Sequence, residues 1–271
     1  NTYVGFSAGK GAAGAESNNV GVGSGALTAI TDGGRNVAIG KDAFVALTGG
    51  LYNVAIGYQA GYGAVSADTN TFIGYQAGYA ITASGNVVIG RQAFATASSV
   101  VNNVCIGHHA MQAVPSGQAI NDCVSIGYQA LHGSASTTTG IDGTVAIGKD
   151  ALTALTTGGN NIAIGYQAGL DITTGTANTI FGANAGSDFD TESGNTFIGT
   201  NAGSGAVTCN EVVCVGATTF TAAASANGTV AIGNYALRYL TSGAGNVAVG
   251  YQTMDAITDG ARNVGLGYGA L

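Results

Sequence analysis

The side chains best suited to chemistry in this chain are three histidines, and they lie close together in the sequence. His108, His109 and His132 fall within residues 107–148, which also hold Pro115, the one proline of the chain. Clustered histidines are candidate proton carriers or metal ligands. No serine or cysteine stands at a spacing that would make it their nucleophile, and the glycine-rich strings recur instead of forming one phosphate loop before a helix. We therefore predict no catalytic residues, no cofactor and no enzymatic activity.

These residues must be positioned by a repeat, because one glycine returns sixteen times at a nearly constant interval. A fixed short period, here about 17 residues, means that each unit is one supersecondary element stacked on its neighbours, which predicts a solenoid. We expect a single repeat domain over residues 1–271, cut from a longer fibre because the chain begins and ends inside repeat units. The recurring glycines are Gly5, Gly23, Gly40, Gly57, Gly74, Gly90, Gly107, Gly127, Gly148, Gly165, Gly182, Gly199, Gly216, Gly233, Gly250 and Gly267.

The residues before each recurring glycine predict a short strand. The repeated positions are Asn36, Val37, Ile39 and Gly40 in one unit and Asn53, Val54, Ile56 and Gly57 in the next. Two β-branched or aliphatic positions separated by one residue indicate a strand, and we expect this pair to point inward. The asparagines, stacked at one spacing, could form a ladder of amide hydrogen bonds or could act only as turn formers.

The residues after each recurring glycine predict a tight bend and a second strand. Alanine stands three residues after the glycine in most units, as at Ala60, and a position that accepts only a methyl group indicates contact with another backbone. An apolar residue follows seven after the glycine, as at Leu47 and Ile81. The predicted fold is an all-β parallel β-roll (β-solenoid) of sixteen short coils, with about 17 residues in each coil.

The residue between the two strand positions is apolar too, and its size is matched to a second position four residues after the glycine. Large Phe72 is paired with Gly78, whereas small Ala38 is paired with Phe44. Compensation of volume is characteristic of a packed core. Since this residue should point away from the inward pair, we expect both strand faces to be buried, the second one by neighbouring chains in a homotrimer.

The repeat is irregular in one place, over 107–148, where the intervals from Gly107 to Gly127 and from Gly127 to Gly148 are longer than elsewhere. Longer loops on adjacent coils project together and could form a recognition patch. The candidate binding residues there are His108, His109, Pro115 and His132. Two alternatives remain open: the histidine pair simply replaces the Tyr58 and Gln59 pair of other coils, or histidines around a trimer axis hold a metal. We predict no metal.

Two further groups of residues have a structural interpretation. Cys105 and Cys214 occupy the small strand position, where a free thiol acts as a small hydrophobe, so no disulfide framework is predicted. Asp188, Asp190 and Glu192 alternate as in part of a calcium loop, but the remaining ligands of such a loop are missing. A solvated turn is favoured over a calcium site.

Composition excludes several classes of function. The net charge is −7, with only seven basic residues, which argues against binding of nucleic acid. No apolar run reaches the roughly 20 residues that a membrane helix requires, so no membrane insertion is expected in this segment. Glycine is abundant, with 47 of 271 residues, but 46% of the chain is hydrophobic, which favours a folded array over a flexible linker.

Four repeated strings carry a resemblance to a known family: NVAIGYQAG (53–61), NTFIGYQAG (70–78), NIAIGYQAG (161–169) and NVAVGYQTM (246–254). The chain resembles the YadA-like head repeats of trimeric autotransporter adhesins, and it is similar to repeats of phage tail-fibre proteins. The resemblance implies a left-handed parallel β-roll, three chains packed side by side, and attachment to surfaces. The repeat unit of this chain departs from the family, whose head repeat is typically shorter.

The function expected from the sequence is that of a structural or adhesive fibre segment, extracellular and on a cell or virion surface. Its partners would be its own copies and a host-surface receptor or glycan. The alternative is an ice-binding β-solenoid, because a threonine column stands eight residues after the glycine. That column, which includes Thr48, Thr156 and Thr241, is interrupted by other residues and has no second threonine column beside it.

Overall fold

A computed structural model describes residues 1–12, 17–133, 138–205, 208–222 and 225–271. The chain forms two compact units, Asn1–Asp142 and Gly143–Leu271. The described residues contain sixteen strands of three residues each and no helix. They therefore include no helix that is long and apolar enough to cross a membrane.

Each unit contains eight strands. The first unit contains β1 (Thr2–Val4), β2 (Val20–Val22), β3 (Val37–Ile39), β4 (Val54–Ile56), β5 (Thr71–Ile73), β6 (Val87–Ile89), β7 (Val104–Ile106) and β8 (Val124–Ile126). The second contains β9 (Val145–Ile147), β10 (Ile162–Ile164), β11 (Thr179–Phe181), β12 (Thr196–Ile198), β13 (Val213–Val215), β14 (Val230–Ile232), β15 (Val247–Val249) and β16 (Val264–Leu266).

Within each unit, every strand pairs in parallel with the strands that precede and follow it in the sequence. In the β3 and β4 pair, for example, Val37 lies opposite Val54 and Ile39 lies opposite Ile56. Equivalent residues of successive repeats therefore stack in columns. The predicted all-β parallel β-solenoid, with about 17 residues per coil, is confirmed.

The recurring glycine is required by both its backbone conformation and its surroundings. Gly57 has a φ of +137°, which side-chain-bearing residues rarely adopt, and a Cβ atom there would lie 2.4 Å from the carbonyl oxygen of Gly74. Gly40 is in the same position relative to Gly57. The glycines form a column in which backbone packs on backbone, so the strand can turn directly into the bend.

The inward and outward faces of the strand are the reverse of the prediction. Ala38 and Ala55, at the middle of β3 and β4, are fully buried inside their coils, whereas Ile39 is 39% exposed. Val37, Val54 and Ile56, which were expected to point inward, lie on the same outer face as Ile39. The pattern alone could not decide between the faces, because both are apolar.

The predicted second strand is wrong, although the burial of its apolar residue is right. Leu47 and Ile81 are fully buried, but they lie in a series of turns. Leu47 donates its N–H to the Phe44 carbonyl over 3.2 Å, and Phe44 itself has a φ of +47°. Left-handed residues two and four after the glycine bend the chain repeatedly, which prevents an extended segment.

The volume compensation predicted from the sequence takes place inside single coils such as that of Phe72, whereas at Gly61 the rings of Phe44 and Phe72 enter from the two neighbouring coils. A Cβ atom on Gly78 would lie 2.6 Å from Cδ1 of Phe72, so the ring fills the space that a side chain at 78 would need. In the coil of Ala38, the fully buried ring of Phe44 provides the bulk instead. This matching is internal packing, and it does not by itself require a partner chain.

The asparagine ladder is confirmed. The Asn53 side chain accepts the backbone N–H of Asn70 over 2.9 Å and donates to Asn36 Oδ1 over 3.0 Å and to the Ala67 carbonyl over 2.6 Å. All of these residues are buried. The ladder provides partners for backbone groups that the bend removes from water.

Candidate functional site

The irregular coils bring His108 and His109 into contact with each other and with the coils on both sides. Their ring centroids are 3.9 Å apart, and the His108 ring meets Tyr128 edge-on at 5.5 Å. Arg91 donates from Nη1 to His108 Nε2 over 2.8 Å. This nitrogen therefore acts as an acceptor, which assigns the neutral ring with its proton on Nδ1.

His109 continues a ladder of glutamine side chains that stands beside the rings. Gln76 donates to Gln59 over 3.0 Å, Gln92 donates to Gln76 over 3.1 Å, and His109 Nε2 lies 3.1 Å from Gln92 Oε1. Burial lowers the pKa of His109, and the nearby His108, Arg91 and His132 lower it further. The interpretation of the histidine pair as a replacement for the tyrosine and glutamine pair is confirmed.

His132 is close enough to lower the pKa of His109, but it stands at a different position of the repeat. It belongs to another column, five residues after its glycine, and its Nδ1 is 3.2 Å from the carbonyl oxygen of Gly133. The described residues contain no group of three histidine, cysteine, aspartate or glutamate side chains that could hold a metal ion. The structure therefore brings two of the three histidines together and leaves the third in a turn of its own.

Pro115 lines an open groove on the first unit. The groove has a volume of about 440 Å³, and Tyr79, Ala95 and Thr96 line it together with the extended loop around Pro115. The Thr96 hydroxyl lies 2.5 Å from the Gln112 carbonyl and 2.6 Å from the Val114 carbonyl, so it holds this loop against the preceding coil. The longer repeat interval thus forms one wall of a concave surface.

A column of cations and tyrosines, one residue after the recurring glycine, was missed by the sequence reasoning. In the first unit, the ammonium of Lys41 lies 5.3 Å from the ring centre of Tyr58, which stacks on Tyr75 at 5.4 Å, and Arg91 lies 5.8 Å from Tyr75. In the second unit, Lys149 lies 5.2 Å from Tyr166. The recurrence of Lys, Arg, His or Tyr at this position would have indicated the column.

The four cysteines belong to the core. Cys105 and Cys214 are fully buried, and burial raises the pKa of both thiols well above the ordinary value. Burial also raises the pKa of Cys209 to about 11. Cys123 takes an asparagine position of the ladder, where its backbone N–H donates to Asn103 Oδ1 over 3.0 Å. All four are buried, and none of them forms a disulfide.

The acidic loop is a turn that satisfies its own backbone. The Glu192 carboxylate accepts the N–H groups of Asp190 and Thr191 over 2.8 and 2.9 Å. The Asp190 carboxylate in turn accepts the hydroxyl of Thr173 on the preceding coil. These contacts favour a turn over a calcium loop, although Glu192 itself is buried and not solvated.

The threonine column also has a structural role. Thr48 donates its hydroxyl to the Val65 carbonyl over 3.0 Å, and Thr156 donates to the Thr173 carbonyl over 2.9 Å. Thr241 makes the equivalent bond to Thr258 over 2.6 Å. Because each of these hydroxyl protons is engaged by the next coil, the column is not a free array of donors, which weakens the ice-binding alternative.

Comparison with protein-family models, curated proteins and solved structures finds no match to this chain.

The outer face of the strands is an apolar feature of the surface that recurs on every coil. The first and third residues of all sixteen strands are valine, isoleucine, threonine, phenylalanine or leucine, and none is charged. Several of them are exposed, including Ile56 at 37% and Phe181 at 55%. A contiguous apolar strip of this kind is typical of an interaction surface.

Proposed function

We propose that this chain is a segment of a left-handed, homotrimeric β-solenoid fibre that attaches to other surfaces and performs no catalysis. Its place would be outside the cell, on a cell or virion surface. The observation that carries the proposal is the uncharged outer strand face, which runs along the strands of each unit.

The chemistry of this face favours burial against further copies. Removing a half-exposed isoleucine from water contributes roughly 1 kcal/mol, and the same side-chain types recur on every coil. A strand face that repeats with one period is matched best by another surface with the same period. A second and third copy of the chain supply such a surface, and a closed three-fold arrangement leaves no copy with an uncovered strip.

The attachment role is supported by the regularity of the stack and by the resemblance of its repeats to those of adhesins and tail fibres. Parallel columns of backbone hydrogen bonds, the asparagine ladder and the glycine column each tie one coil to the next. Such a solenoid is suited to presenting a binding surface at a distance. The left-handed sense of the proposed solenoid is taken from the resemblance to the adhesin repeats.

The molar mass in solution tests the oligomer. Size-exclusion chromatography with light scattering should give three times the mass of one chain, which is 26.4 kDa. Ile56→Glu places a charge on the outer strand face, whereas the control Val65→Glu places one on a turn of the same coil. The two native side chains are 37% and 46% exposed.

We expect the Ile56→Glu variant to shift toward the monomer while Val65→Glu keeps the wild-type mass. A wild-type monomer at micromolar concentration would overturn the trimer. Equal behaviour of the two variants would show that the strand face is not the contact.

A further inference from the structure

We infer that the groove beside Pro115 binds one pyranose ring of a glycan, stacked on Tyr79. This inference rests on the proposed attachment function and gives it a ligand class. It is carried by a gap in a column of stacked rings.

The column stands five residues after the recurring glycine. Its members Tyr62 and Tyr79 stack with their ring centroids 5.0 Å apart and their planes 10° from parallel. The next residue of the column is Ala95, whose methyl group is too small to cover the second face of the Tyr79 ring. The groove lies beside this small residue, and both Tyr79 and Ala95 line it.

The far side of the gap is closed by the extended loop. Val114, Pro115 and Ser116 line the groove opposite Tyr79. The restricted φ of proline and the contacts of the Thr96 hydroxyl with two loop carbonyls hold this wall in place before any ligand arrives. A preformed site loses less entropy on binding than a flexible one.

The lining fits a neutral ligand that is apolar on one face and polar at its edge. Ala80 and Ala95 give apolar surface, Ser116 adds a hydroxyl group, the Thr96 oxygen can still accept a hydrogen bond, and none of the lining residues is charged. A pyranose presents C–H groups on one face, which pack on an aromatic ring, and hydroxyl groups around its rim. An aromatic side chain would fill the ring slot but would make fewer hydrogen bonds to the polar edge of the groove than a sugar does.

The volume is consistent with this occupant. About 440 Å³ falls within the usual range for small-molecule sites, and the groove is open to solvent. An open site of this size accommodates one sugar ring while the rest of the glycan chain extends outward.

The test is saturation-transfer NMR with methyl β-D-galactopyranoside, methyl β-D-glucopyranoside and N-acetylglucosamine, measured one at a time on the full chain. Ala95→Tyr fills the gap with a third stacked ring. The matched control is Val45→Tyr, which stands at the same position of the column on the other side of Tyr62 and extends the stack away from the groove. N-acetyltyrosinamide serves as the aromatic probe.

We expect at least one sugar to receive saturation from the wild type and from Val45→Tyr, with a Kd near the millimolar range, and the signal to fall at least about fivefold in Ala95→Tyr. No transfer to any of the three sugars, or equal transfer in Ala95→Tyr, would overturn the inference. Transfer to N-acetyltyrosinamide but to none of the sugars would assign the groove to a protein partner instead.

The molar mass of each sample, measured in parallel, separates this inference from the proposed fibre. A trimer that binds no sugar contradicts only the groove. A monomer that binds sugar contradicts only the assembly.

Discussion

The side-chain amide of Asn195 donates to Oδ1 of Asn178 over 3.1 Å, and the backbone N–H of Asn195 donates to the same oxygen over 3.0 Å. Asn195 then accepts the backbone N–H of Val212 on the following coil over 3.0 Å. One buried side chain thus connects three successive coils.

Replacing this asparagine should therefore be costly. Asn195→Ala leaves the buried N–H of Val212 without its acceptor, and we expect the free energy of unfolding to fall by about 2–4 kcal/mol. Urea denaturation followed by circular dichroism measures the change. The control is Asn210→Ala, since Asn210 is exposed and accepts the N–H of Ser193 over 2.7 Å. Equal losses in the two variants would argue against the ladder as a special source of stability.

The ladder can also be extended. Thr229 stands at an asparagine position, is fully buried, and its hydroxyl has no hydrogen-bond partner among the described residues. Thr229→Asn should supply the missing contacts and raise the free energy of unfolding by about 1 kcal/mol. Thr200→Asn, on an exposed turn after β12, should change the free energy of unfolding by no more than about 0.5 kcal/mol. Thermal unfolding of both variants provides the comparison, and destabilisation by Thr229→Asn would contradict the prediction.

Stability should decline in mildly acidic solution because of His109. Its pKa in the folded state lies below the ordinary value of 6.5, so the unfolded chain binds more protons and stability falls as the pH drops below about 6.5. The groups that face it and lower its pKa further are His108, Arg91 and His132. His109→Gln keeps the side-chain ladder and should flatten the pH profile between about 7 and 5. An unchanged profile would show that other groups control it.

The glycine column should tolerate no side chain. Gly57→Ala combines a disfavoured φ with a Cβ atom 2.4 Å from the Gly74 carbonyl oxygen, and we expect a loss of at least about 3 kcal/mol or failure to fold. Gly140→Ala also has a positive φ, at +63°, but a Cβ there meets nothing within 4 Å. It should cost about 1 kcal/mol. The difference in urea midpoint between the two variants isolates the contact, and similar midpoints would disprove it.

The two matched core positions of a coil stand two residues before and four residues after the recurring glycine. A large side chain should be able to move from one of them to the other. Phe72→Ala alone opens a cavity and should cost about 3–5 kcal/mol. Adding Gly78→Leu copies the arrangement of Ala38 and Phe44, and Phe44 shows that a side chain tolerates the left-handed backbone there. We expect the double variant to recover at least half of the loss, measured by calorimetry. A double variant less stable than Phe72→Ala would contradict the compensation.

Much of the fold was predictable because each interaction recurs in many units of the repeat. The period of the glycine predicted stacked coils, the column of Asn36 and Asn53 predicted the ladder, and the pairing of Phe72 with Gly78 predicted the matched volumes. These features depend on residue type at one spacing, which the sequence displays directly. The histidine pair was also placed correctly, since it stands in the position of Tyr58 and Gln59.

The inner face of the strands, the turns and the groove depended on how the chain folds in three dimensions. A three-residue strand that is apolar at every position has no alternation to mark its inner face, so Ala38 and Ile39 were assigned to the wrong sides. The turns around Leu47 follow from left-handed residues such as Phe44, whose type does not indicate that conformation. The groove needed tertiary structure above all, because Tyr79 and Pro115 belong to different coils and only the stacking of those coils brings them to the same gap.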